Sequence, residues 1–106
     1  MPAVTLRQQQ WQQALSMTED MLLRAQEGDW GALGALEIER RGIIESFFAT
    51  QVPEQDAPYV ADGIRVLMAL DQQIMALCKV ARDDVAHKAG VVSQGRRAEA
   101  AYNANR

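Results

Sequence analysis

The segment from Pro58 to about His87 constrains the fold most, because its apolar residues recur at spacings that alternate between four and three. On a helical wheel with about 100° per residue, the apolar arc covers roughly 200°. A helix that packs on one side needs an arc of only about 100°. The extra apolar surface requires a cover, which a fourth helix, a second subunit or a client protein could provide, so the pattern favours binding over catalysis. The residues of this heptad seam are Val60, Ile64, Leu67, Asp71, Ile74, Cys78, Ala81 and Val85.

Helix one is predicted from about Thr5 to Glu27. Thr5, with Gln8 three residues later, can form a capping box, in which each side chain accepts a hydrogen bond from the other residue's backbone N–H. The apolar seam of this helix has the same alternating spacing, and Val4 lies one heptad before its first residue. The seam residues are Trp11, Leu15, Thr18, Leu22 and Ala25.

Helix two is predicted from Trp30 to about Ala49, after a tight turn. Gly28 suits the left-handed position that follows a helix, and Asp29 suits the N-cap of the next one. The seam residues of helix two are Leu33, Leu36, Arg40, Ile43, Ile44 and Phe47. The glycines opposite this seam, which we do not expect to serve close packing in the core, are Gly31, Gly34 and Gly42.

The periodicity of helix three fades at residues 88–90, where we expect it to end. Ser93 can cap a short fourth helix, so residues 91–106 are predicted to be a short C-terminal helix and tail, and residues 1–4 an N-terminal tail. Short loops between long helices imply antiparallel neighbours. The sequence therefore predicts a single all-α domain over residues 1–106, an antiparallel three-helix up-down-up bundle plus a short C-terminal fourth helix.

Composition excludes several classes of function. The net charge is −3, and the longest basic cluster is Arg96-Arg97, whereas a nucleic-acid binder shows a concentrated basic face. No apolar run reaches the roughly 18 residues of a membrane span, and the N-terminus has no apolar core of a secretory signal. Because Cys78 is the only cysteine, no internal disulfide can form, and the expected compartment is the cytoplasm.

The sequence contains no pattern of a catalytic, metal or cofactor site. No residue is placed by sequence to activate Cys78, which is predicted to be a buried structural cysteine, and His87 is predicted to lie on the surface. The enzymes of similar length with arginine in a helical core are the small chorismate mutases, which need several inward cations to bind a dicarboxylate. Only Arg40 lies mid-seam and Arg82 lies at its edge, so this type of enzyme is a weak alternative.

Arg40 and Asp71 are the two charged residues on otherwise apolar seams. An unpaired buried charge is costly, so each should find a partner or reach water. We favour an ion pair between helices two and three, or an arginine that extends to solvent. A polar site in a groove is the functional alternative.

A stripe that combines apolar and polar residues, on one flank of helix three, is the candidate partner-binding surface. Methionine is flexible and polarisable, which suits an adaptable contact surface, and mixed stripes are expected where a partner helix docks and is later released. Filling of the core is the alternative role for Met17, Met21 and the two methionines of the stripe. The stripe residues are Arg65, Met68, Gln72, Met75 and Lys79.

The apolar residues by which helix four is predicted to cover the helix-three surface are Val91, Val92, Ala98, Ala101 and Tyr102. The apolar residues of the opposite flank, the alternative contact surface, are Val66, Leu70 and Leu77.

The order of these landmarks resembles the FliT family of flagellar type III export chaperones. The resemblance covers nearly the whole chain and is moderately specific in order and spacing. The residues that carry it are Trp11-Gln12-Gln13, Met21-Leu22, Trp30 with Leu33 and Glu37, and Ala101-Tyr102 at the end of the last helix.

The resemblance implies a non-catalytic cytoplasmic protein that binds the flagellar filament cap protein and delivers it to the membrane export gate. It also implies that the short C-terminal helix covers part of the binding surface. In enteric bacteria, proteins of this family additionally restrain the master regulator of flagellar transcription. This chain ends four residues after Tyr102, so a role that depends on a longer tail stays open. Other secretion chaperones, such as those of hook–filament junction proteins, and a structural homodimer are the alternatives.

Overall fold

A computed structural model describes residues 5–104 of the chain. The predicted N-terminal tail, residues 1–4 with Val4, and the last two residues lie outside this range. The described residues contain helices and no strand, so the all-α prediction is confirmed. The elements are α1 (Leu6–Glu27), α2 (Trp30–Phe48), a short 3-10 helix (Glu54–Asp56) and α3 (Ala57–Ala104).

Helix α1 begins and ends as its sequence predicts. The Thr5 hydroxyl accepts a hydrogen bond from the Gln8 backbone N–H at 3.1 Å, and the Gln8 side chain accepts one from the Thr5 backbone N–H at 3.0 Å. Gly28 follows the last turn with a φ of 73°, which glycine adopts without steric cost. The Asp29 carboxylate then accepts from the Ala32 backbone N–H at 3.1 Å and starts α2. The capping box and the two-residue turn are therefore confirmed.

Helix α3 is 48 residues long and passes through its predicted break. The separate fourth helix capped by Ser93 is therefore wrong, because residues 91–104 continue α3. A glycine in a helix interior costs only about 1 kcal/mol relative to alanine. Lys88 and Ala89 directly before Gly90 are good helix formers, and the helix continues through Val91 and Val92 after it, so this cost does not end the helix. The prediction that a fourth helix covers α3 loses its structural basis.

The chain divides into two compact units, Met1–Met75 and Ala76–Arg106. The first unit contains α1 and α2, which pack against each other, and a hydrophobic core to which α3 also contributes. The up-down-up order of a bundle and the single-domain organisation stay predictions. The buried members of this core cluster are Trp11, Phe47, Val60 and Leu67, with Leu15, Ile44, Val52 and Tyr59 packed against them.

A close approach between α1 and α3 fixes the position of Trp11 in this core. The Trp11 side chain is 1% exposed and stacks on Phe47 with ring centroids 5.0 Å apart. Gly63 faces the indole so closely that a Cβ at this position would lie 2.7 Å from Cε2 of Trp11. Carbon atoms in contact sit about 3.5–4.0 Å apart, so residue 63 has room only for glycine.

The second unit is helical as far as Ala104, and most of its described side chains are exposed. Leu77, Cys78 and Ala81 are half-buried, so Cys78 is less buried than predicted. Val85 is 66% exposed, and its predicted inward place on the seam is wrong. Within the described residues this unit consists of one element, the C-terminal part of α3.

Candidate functional site

Four of the predicted contact residues form an exposed stripe on α3 within the first unit. Met68 and Met75 are 59% and 68% exposed, whereas the residue before each, Leu67 or Ile74, is buried. One step along a helix turns the side chain by about 100°, which places the core residue inward and the methionine outward. We call this surface the methionine stripe, and its residues are Arg65, Met68, Gln72 and Met75.

The methionine stripe combines flexible apolar side chains with polar ones. Arg65 pairs with Asp62 at 2.6 Å, and both side chains are about three-quarters exposed. Such a surface ion pair contributes little to stability, so it can be exchanged for a partner's carboxylate at small cost. Unbranched thioether side chains adapt to partners of different shape. The arrangement suits reversible packing against an apolar helix.

The methionines of the described residues differ in how deeply they are buried. Met21 on α1 is 3% exposed and fills the core of the first unit. Met17 is half-buried. Core filling, the alternative role considered for all of them, is therefore correct for Met21 and wrong for Met68 and Met75.

Ile64 belongs to the exposed surface, although the heptad pattern placed it inward. Its side chain is 39% exposed and lies four residues before Met68, so the two share a helix face. On the opposite flank, Val66 is 47% exposed and Leu70 is half-buried. The i, i+4 spacing from Ile64 to Met68 was the signal that could have identified this extension of the stripe.

The remaining predicted contact residues belong to the second unit, and all are exposed there. Lys79 pairs with Asp83 at 3.0 Å within the helix. Val91 and Val92 are each 53% exposed and Tyr102 is 69% exposed. Ala98 and Ala101 are exposed as well. Their role in partner binding stays a prediction.

The two charged seam residues form an ion pair between helices. Arg40 Nη1 donates to Asp71 Oδ1 at 2.7 Å and to Thr18 Oγ1 at 3.2 Å, while the Thr18 hydroxyl donates to the Ala14 carbonyl at 2.8 Å. The Arg40 side chain is 14% exposed and that of Asp71 is 38% exposed. The ion-pair interpretation is confirmed, and Thr18 is a third member that the sequence pattern did not reveal.

This pairing weakens the enzyme alternative. A dicarboxylate site needs several inward cations that are free to bind it. The Arg40 guanidinium is already paired with the Asp71 carboxylate, and Arg82 is exposed. His87 is also exposed, as predicted. Among residues 5–104, no group of three or more histidine, cysteine or acidic side chains could hold a metal ion.

The chain is similar to a known protein family. The sequence model of the family described as "Flagellar protein FliT" matches residues 8–104. No curated protein and no solved structure matches the chain. Over the part of the chain that the structure describes, every helix is too short or too polar to cross a membrane.

Proposed function

The chain belongs to the FliT family of flagellar export chaperones, and from this membership we propose that it binds the flagellar filament cap protein in the cytoplasm and delivers it to the type III export gate. In this proposal the chain acts by binding alone, without catalysis or a cofactor. Because Arg40 is paired with Asp71, it is not free to bind a dicarboxylate, which argues against an enzyme site of that kind.

The observation that carries the proposal is the methionine stripe. Met68 and Met75 expose more than half of their surface in the first unit, although each adjoins a buried seam residue. An apolar surface of this kind is stabilised when a partner covers it. A helix of the client, laid along α3 with its apolar residues on the stripe, supplies that cover.

Replacement of both stripe methionines by glutamate tests the proposal. Met68→Glu combined with Met75→Glu removes two apolar contacts that are each worth about 1.5 kcal/mol or more when buried. Since about 1.4 kcal/mol corresponds to a tenfold change in affinity, the dissociation constant for the purified cap protein should rise about 100-fold, as measured by titration calorimetry. Thermal stability should change little, because both side chains are already in water.

The matched control changes two exposed apolar residues elsewhere in the same unit. Leu6 and Ile38 are 84% and 71% exposed, and Leu6→Glu with Ile38→Glu should leave cap-protein affinity unchanged. Unfolding of the methionine double variant would mean that the stripe belongs to the core. Normal binding by that variant would assign the client to another surface. Binding of a hook–filament junction protein in place of the cap protein would identify a different client class.

A further inference from the structure

A shallow groove of about 550 Å³ lies between α1 and α2 in the first unit, and we call it the α1–α2 groove. Its apolar lining comes from Met17 and Leu23 on α1 and from Leu36 on α2. Leu23 is 50% exposed, and Met17 and Leu36 are half-buried. The groove therefore keeps apolar surface in contact with water, and a partner that covers this surface is stabilised by its burial.

The carboxylates of the groove come from both helices and are only partly neutralised. Glu19 and Asp20 belong to α1, and Glu39 belongs to α2. Asp20 pairs with Arg24 at 3.5 Å, whereas the ion pairs within residues 5–104 include neither Glu19 nor Glu39. The residues that line the groove include no basic one. The groove therefore presents uncompensated negative charge beside apolar surface.

The unit that contains the groove has a charge of the same sign. Residues 1–75 contain eleven acidic and five basic side chains, which gives the first unit a net charge of −6. A negative surface repels nucleic acids and anionic membranes, and it attracts cationic partners as they approach. The class of ligand that fits the charge of the groove is therefore cationic.

The shape of the groove favours a helix over a small molecule. A small-molecule site encloses most of its ligand, whereas this groove is shallow and follows α1 from Gln13 to Leu23. That length is about 15 Å at 1.5 Å per residue, which matches roughly three turns of a second helix. An amphipathic helix places a row of apolar side chains on one face with charged side chains beside it. Such a helix can cover the apolar lining and bring lysine or arginine side chains to Glu19 and Glu39.

We propose that the α1–α2 groove is a docking site for a basic amphipathic helix of a second protein, distinct from the client of the methionine stripe. Apolar side chains of that helix cover Met17, Leu23 and Leu36, while its cationic side chains neutralise Glu19 and Glu39. The groove and the methionine stripe share no residue, so the two contacts can be tested separately. Failure of this proposal leaves the proposed function untouched.

Fluorescence anisotropy of labelled synthetic peptides, titrated with the full chain, tests the proposal. The probe is a peptide of about 15 residues with leucine at the i, i+3, i+4 and i+7 positions of a helix and lysine between them. A scrambled peptide keeps its composition and charge but lacks the apolar face, and a third peptide carries glutamate in place of every lysine. The lysine peptide should bind, the scrambled peptide should bind about tenfold more weakly, and the glutamate peptide should not bind, because both apolar contact and positive charge are required.

Two changes in the groove should weaken binding of the lysine peptide. Glu19→Lys combined with Glu39→Lys should raise the dissociation constant about tenfold or more, because like charges then face each other. Leu23→Ser should raise it several-fold, because apolar contact is lost at a half-exposed position. The charge-reversed variant should also bind the glutamate peptide more tightly than the wild-type chain does, a gain that an unfolded chain would not produce.

The control changes the same number of carboxylates outside the groove. Glu45→Lys combined with Glu54→Lys alters two exposed side chains and should retain wild-type affinity for the lysine peptide, as should the variant with both stripe methionines replaced. No binding of the lysine peptide, equal binding of the scrambled peptide, or equal weakening by the control would each overturn the proposal. Loss of binding in the methionine variant, which would place the peptide on the stripe, or no gain for the glutamate peptide would overturn it as well.

Discussion

Substitution of Gly63 by alanine tests the packing of Trp11 directly. The new Cβ would lie 2.7 Å from Cε2 and Cζ2 of the indole, about 1 Å closer than carbon atoms normally approach. The ring cannot move away freely, because it stacks on Phe47 and meets the edge of Phe48 with centroids 5.9 Å apart. The clash must therefore displace α1 or α3.

The expected magnitude follows from two opposing contributions. Overpacking of a core costs about 1–3 kcal/mol, and the tightness of this contact favours the upper end. Alanine in place of glycine in a helix interior stabilises the helix by about 1 kcal/mol. Gly63→Ala should therefore lower the free energy of unfolding by about 2 kcal/mol, which corresponds to a fall in Tm of roughly 10 °C for a unit of this size.

Gly42→Ala is the matched control, since a Cβ at that position meets nothing within 4 Å. It should raise the free energy of unfolding by about 0.5–1 kcal/mol. Urea unfolding of each variant is measured by far-ultraviolet circular dichroism, which reports helix content and does not depend on a tryptophan. In the additional presence of Trp11→Phe, whose smaller ring leaves room, the cost of Gly63→Ala should shrink. Equal or greater stability of Gly63→Ala relative to the wild-type chain would refute the close approach between α1 and α3.

Two further predictions concern the core ion pair and the continuity of α3. Asp71→Ala should lower the free energy of unfolding by about 1–2 kcal/mol in urea titrations, because it leaves the mostly buried Arg40 guanidinium without its carboxylate. The control is Asp62→Ala, which breaks the exposed ion pair between Asp62 and Arg65 and should change stability little. Gly90→Ala should increase amide protection from hydrogen exchange in residues 76–104, because it removes an interior glycine from a continuous helix. Reduced protection would contradict a continuous helix through Gly90, because alanine destabilises only a glycine position whose backbone is not helical.

The helices and their boundaries in the first unit were predictable because the signals are local. Thr5 with Gln8 defines the start of α1. Gly28 defines its end, because the helix stops at a residue with a left-handed backbone and glycine favours that conformation. The seams correctly identified Trp11 and Phe47 as core. Interactions within a few residues along the chain were sufficient for these conclusions.

Most of the errors have a common physical origin in what surrounds a residue in three dimensions. Gly90 is the exception: it carries the same local signal as a helix end, but one interior glycine costs only about 1 kcal/mol and does not end α3. Gly63 has no local signature at all, since its role depends on an indole 52 residues earlier in the chain. Val85 continues the seam in sequence but has no packing partner in its unit. The exposure of Met68 and Met75 was predicted from the polar residues beside them, whereas their role in binding stays a prediction.

The two-residue connection at Gly28 and Asp29 has a consequence for the order in which the chain folds. Pairing of α1 with α2 requires closure of a very short loop, which costs little entropy and forms quickly. Trp11 and Phe47 can then meet while the rest of the chain is still on the ribosome. The indole stays open on one side until Gly63 emerges and α3 packs over it. During synthesis the α1–α2 hairpin is therefore expected to be the first tertiary contact available to the chain, and the packing of α3 over Trp11 completes the core.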